Sequence, residues 1–224
     1  MLKKTMFAYC LFALLSALFI IPGGVNTACA AVEATKKIEV VPNAIPEGVT
    51  EAEWTSPDTS TARGLSIALA KMTKNPALAY KRFPPVFEAL KPEHLELMQE
   101  AYVTVVRSNN NLTNQSVALY NMALAFEEYY RIRACIDEFN RTGYLTKETC
   151  DKNNFNLERF GGGMVYIEKL NPQAQSMLAP YMSEEAYHRI FNEYINAMRK
   201  SSAIDEEHIK KLENINNMLR TMNK

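Results

Sequence analysis

Glycine is scarce in this chain: eight residues in 224, three of them in the single run Gly161-Gly162-Gly163. That excludes a Gly-rich low-complexity chain, and neither a phosphate-binding loop nor a Gly-x-Ser-x-Gly nucleophile motif occurs. Net charge is lacking too. Twenty-five basic residues balance 25 acidic ones, so the basic surplus of a nucleic-acid binder is missing. No run alternates apolar and polar residues over the length of a strand, which argues against a β-fold. Cysteine occupies only four positions, none in a Cys-x-x-Cys pair, and tryptophan only Trp54. What is present is 47% hydrophobic and 22% charged residues, with 10 Phe and 11 Tyr. Such a chain is too apolar and aromatic to be disordered throughout and too short for a multidomain enzyme.

The N-terminus has the three parts of a secretory signal. Lys3 and Lys4 form a basic head, Met6 to Ile21 is an uncharged apolar core, and Pro22-Gly23-Gly24 breaks it. Ala28-Cys29-Ala30 then places small residues where a leader peptidase needs them, predicting residues 1–30 as a cleaved signal peptide. A retained anchor is the competing reading, but the apolar run falls short of the roughly 20 residues that span a bilayer. A lipoprotein acylated at Cys29 is a second competitor, and Asn26 stands where such sites usually carry leucine. Cleavage removes two lysines and no acid, leaving 23 basic against 25 acidic residues, a net charge of −2. It also removes Cys10 and Cys29. Cys135 and Cys150 remain, and an even pair in an exported chain predicts a disulfide. The compact basic head suits a bacterial periplasm. In a eukaryotic secretory route, Asn111, Asn114 and Asn140 would be glycosylation acceptors.

Proline divides the rest. Seven prolines lie between Pro42 and Pro92 and none from Glu93 to Asn171. Residues 31–59 lack a helical period and predict an extended or disordered arm, with Trp54 available to dock its end. A single helical domain is expected over 60–224. Leu65, Ala68, Leu69 and Met72 share one side of a first helix, and Pro76, Pro84 and Pro85 keep the next stretch in short pieces. Leu95, Met98, Tyr102 and Val105 mark a helix stopped at Asn109-Asn110-Asn111. Thr113 or Asn114 is expected to cap the next, whose apolar side runs from Leu119 to Phe139 and which ends at Gly143. Thr146, Asn171-Pro172 and Ser183 read as three further starts. The apolar spacing Leu157, Phe160, Met164, Ile167 crosses the three glycines, where interior glycine costs about 1 kcal/mol per residue. Either the helix breaks there or the glycines let another backbone pack very closely, and a break or kink is the favoured expectation. Leu212, Ile215, Leu219 and Met222 form a last stripe. The expectation is an all-α fold, an irregular bundle of about five to seven helices.

Candidate chemistry is sparse. Glu185-x-x-His188 and Asp205-x-x-His208 present carboxylate and imidazole three residues apart, the spacing of carboxylate-bridged di-iron bundles, with Glu127 or Glu128 as a further ligand and no candidate for the remaining one. The acids also lie in first turns, where they offset the helix dipole, which is the simpler account. The methionines suit Cu(I) but fall on the apolar stripes and read as core filling. In Phe126-Glu127-Glu128-Tyr129-Tyr130-Arg131 a glutamate could act as acid or base, whereas a Glu127–Arg131 surface pair with Tyr130 buried is the plainer reading. Lys71, Lys74, Lys81 and Arg82 offer either a solvated loop or a contact for an anionic envelope surface. No catalytic residue and no cofactor are expected. The reading that results is an exported, non-enzymatic helical protein acting through a protein partner, an accessory of an envelope or secretion assembly. The alternative is a small-molecule or metal-binding bundle.

Overall fold

The computed structural model describes residues 44–154, 156–201 and 205–222, and all regular structure among them is helical. The expected signal peptide, residues 1–30, and residues 31–43 of the expected arm lie outside the described residues. The helices are α1 (Glu51–Thr55), α2 (Ala62–Lys71), α3 (Pro76–Tyr80), α4 (Phe83–Glu88), α5 (Pro92–Ser108), α6 (Leu112–Thr142), α7 (Lys147–Lys152), α8 (Leu157–Ile167), α9 (Pro172–Met182), α10 (Glu184–Lys200) and α11 (Glu206–Met222). Seven of them have ten or more residues, and the short ones fall in the proline-rich stretch and after Gly143. None of the described helices is long and apolar enough to cross a membrane.

Local chemistry sets most boundaries. Pro76, Pro92 and Pro172 each start a helix, where the missing N–H costs nothing. Thr61, Asn75, Thr146, Asn171 and Ser183 cap helices with side-chain oxygens that accept first-turn N–H groups. Asn109 closes α5 in the left-handed region (φ 47°), and Asn111, not Thr113 or Asn114, caps α6. Gly143 (φ 73°) ends α6 as expected. α9 runs two residues past Pro180, to Met182.

Residues 44–59 of the expected arm are mostly exposed, but they carry the short helix α1 and bury Pro46 and Val49. Thr50 and Glu53 form a reciprocal capping box, a Thr-x-x-Glu pattern that outweighs the neighbouring prolines and starts α1. Arg63 then bonds Glu53 and the carbonyl of Gly48, while Val49 is buried. The Arg63 guanidinium holds the Glu53 carboxyl down at about 2. Trp54 docks as expected: Lys71 Nζ lies over its ring at 5.3 Å and donates to its carbonyl at 2.7 Å.

The glycine run is a second correction. α8 passes through Gly161-Gly162-Gly163 as continuous helix. A Cβ on Gly163 would overlap the Ala125 Cβ on α6, whereas one on Gly162 would meet open space. Gly163 therefore permits a close approach of two helices, and α6 and α8 make the most extensive helix pairing among the described residues. Packing gained along the whole of α8 offsets the propensity lost at three positions.

α6, about 46 Å long, threads two cores. Its first half, with Leu119, Met122 and Phe126, joins α2–α5 and α9 around Leu69, Phe87, Met98 and Leu178. Its second half, with Ile132, Cys135 and Ile136, joins α8, α10 and α11 around Phe160, Tyr187, Phe191 and Met198.

Candidate functional site

The second core brings the two remaining cysteines together. Gly143 turns the chain back at the end of α6, and Leu145 is wholly buried, its N–H donating to Ser201 Oγ at 2.7 Å. Thr146 then caps α7, so Cys150 falls beside Cys135. Both are free thiols, no disulfide joins them, and each lies close enough to the other to shift its ionisation. The Tyr194 hydroxyl, from α10, bonds the Cys150 sulfur. The two thiols are unequal. Cys135 is inaccessible and Cys150 half-buried. The hydrogen bond to Cys150, then burial, push the Cys135 thiol up; hydrogen bonds from Cys135 and Tyr194 pull Cys150 down against its own burial. Burial raises Tyr194.

The metal-ligand candidates do not converge. Glu127 pairs with Arg159 at 3.5 Å, not with Arg131. His188 Nδ1 donates to Asn216 Oδ1 at 2.7 Å, and Asn216 Nδ2 donates to Asn192 Oδ1 at 2.8 Å, a chain that ties α10 to α11. His188 Nε2 faces Glu184, four residues before it, at 3.6 Å rather than Glu185. Glu185 and His208 are exposed, and Asp205 accepts the Glu207 N–H at 2.9 Å at the start of α11. Among the described residues no three His, Cys, Asp or Glu side chains gather around a common point.

Two buried polar groups escaped the sequence reading. Glu128 is wholly buried, takes the Asn156 N–H at 2.6 Å and faces Arg131 at 3.4 Å and Arg159 at 3.5 Å. It joins α6 to the start of α8. A signal was available: Ala125, Glu128, Ile132 and Cys135 form one helical stripe, and all four are buried. His94, in the first turn of α5, is stacked between Phe126 (4.2 Å) and Tyr130 (5.3 Å). The Lys91 N–H donates to the Tyr130 hydroxyl at 2.9 Å, which leaves that O–H to donate to His94 Nδ1 at 2.7 Å. Burial lowers His94 from its ordinary value and lifts Tyr130 to about 12, so the pair is neutral.

The basic cluster is divided. Lys71 is committed to Trp54, while Lys74, Lys81 and Arg82 stay exposed. On another face, an open groove of about 590 Å³ runs between α5 and α9, lined by Ser60, Glu96, Glu100, Val103, Arg107 and Met177. No family model, no curated protein and no solved structure matches this chain.

Proposed function

We propose that this is an exported helical protein that acts by binding another protein in the periplasm or cell envelope, as an accessory of an assembly there. One observation carries the reading: the only two cysteines outside the signal segment lie in hydrogen-bond contact, although fifteen positions apart on different helices. A pair so placed is poised for a disulfide, and disulfides persist in oxidising compartments. The α5–α9 groove is the face favoured for the partner. It combines exposed Val103 with Glu96, Glu100 and Arg107, the mixed apolar and polar character of a protein contact.

N-terminal sequencing of protein recovered from the envelope fraction is expected to begin at Ala31. Non-reducing peptide mapping should find Cys135 linked to Cys150, and closing this loop should raise stability by about 3 kcal/mol. A retained Met1 with both thiols alkylatable would overturn export and bond together. A photo-crosslinker at Val103 should capture one partner reproducibly in cells, and the same group at exposed Glu185 should not. Equal labelling from both positions would remove the groove from the reading.

A further inference from the structure

We propose that Cys150 is the thiol at which an external disulfide reacts with this protein, and that Cys135 is the resolving thiol that completes the internal bond. The inference rests on the exported dithiol reading and adds an order of events to it. Three placements set that order. Cys135 belongs to the closed second core, where no outside sulfur can line up with it. Cys150 sits half-buried on the six-residue α7, at the edge of that core. The Tyr194 hydroxyl and the Cys135 thiol both bond the Cys150 sulfur, an arrangement that favours negative charge there.

The chemistry is thiol–disulfide exchange with an accessible disulfide R–S–S–R. The Cys150 thiolate attacks one sulfur, the Cys150–S–R bond forms, and the first R–S⁻ leaves and takes up the proton that Cys150 released. Sulfur in the mixed disulfide carries no charge, so the part of the cost of ionising Cys135 that came from Cys150 is removed, and burial remains to be overcome. Cys135 loses its proton and attacks the Cys150 sulfur, expelling the second R–S⁻, which takes that proton. Two protein thiols are oxidised by two electrons and one disulfide is reduced to two thiols. Tyr194 is a positioning residue in this scheme. It touches the reacting sulfur without exchanging a bond.

The test uses the full chain with peptide mapping, which reads Cys135 and Cys150 separately. In the reduced wild-type protein, brief alkylation should label Cys150 about tenfold or more faster than Cys135. Cys135→Ser should accumulate a mixed disulfide on Cys150, with oxidised glutathione in one arm and an oxidised carrier protein in the other. An adduct in a single arm identifies the donor. Cys150→Ser should leave Cys135 unmodified in both. Tyr194→Phe should move the pH profile of Cys150 alkylation upward, a change that a merely packed ring would not produce. Comparable labelling of the two thiols in the wild type, or an adduct on Cys135, would overturn the order, as would an unmoved profile in Tyr194→Phe. None of these readouts depends on where the chain resides, so export and order fail independently.

Discussion

The two cores along α6 are built from similar apolar residues but treat polar groups differently. In the first, polar side chains reach across to main-chain carbonyls: Ser116 donates to Leu69 O at 2.7 Å, Thr113 to Met72 O at 2.9 Å, and Asn171 to Thr104 O at 3.0 Å. Each bond pins the register of one element against another. The second has such bonds too, Ser201 Oγ accepting the Leu145 N–H. It adds a buried carboxylate and two thiols, Glu128, Cys135 and Cys150, with Tyr194 beside them, where the first core buries His94. The buried Tyr187 hydroxyl finds no partner among the described residues, although its ring stacks on Phe191 at 5.3 Å. Directional bonds make the first core a scaffold. Charge and sulfur chemistry make the second one responsive to its surroundings.

The largest test of this contrast is Glu128→Ala. Removing the one acceptor shared by Asn156, Arg131 and Arg159 should cost about 3 kcal/mol in urea unfolding, more than loss of any single first-core hydrogen bond. An unchanged midpoint would show that the second core is held by its apolar residues alone. Next come the adjacent glycines of α8. Gly163→Ala forces a methyl group onto Ala125 and should destabilise by about 2 kcal/mol, while Gly162→Ala, with open space, should stabilise by about 1 kcal/mol. The same sign for both would mean that close approach is not why glycine stands there.

Smaller still is a matched pair of phenols. Tyr130→Phe strips the Lys91 N–H and His94 of their shared partner and should cost about 1 kcal/mol. Tyr187→Phe removes a buried hydroxyl with no described partner and should be neutral or stabilising by up to about 1 kcal/mol. The smallest effect is pH dependence from His94. Its folded-state pKa lies below the ordinary 6.5, so the folded form prefers the neutral ring. That contribution is complete above pH 6.5 and is lost as the pH falls below it, because the unfolded chain then binds a proton the folded one resists. Urea midpoints at pH 7.5 and 5.5 should separate more in wild type than in His94→Gln.

Much of the first core was legible because its signals are local. Prolines at helix starts, Asn171-Pro172, Thr146, Ser183 and the stop at Gly143 act within a few residues of themselves. Thr50-x-x-Glu53 was equally local, and the prolines around it drew the reading toward an arm. Gly163 was different in kind: its meaning depends on Ala125, a residue on another helix with no trace in the local spacing. Glu128 lies between these cases: its place on the stripe of Ala125, Ile132 and Cys135 marks it as inward, but the Asn156 N–H that holds it there is 28 positions away. That Cys135 and Cys150 would lie near one another was readable from their number, but their inequality comes from the depth to which the fold buries each, with Tyr194, 44 positions beyond Cys150, adding to it.

The place of α9 has a bearing on how the chain is made. Leu170, Ala174, Leu178 and Met182 complete the first core, whose other members lie between Val49 and Phe126. A ribosome must therefore deliver about four-fifths of the chain before its N-terminal portion can close. Domains that contain their own last piece fold as they emerge, N-terminal first. This one is held open by a late arrival of high sequence separation, which slows closure further.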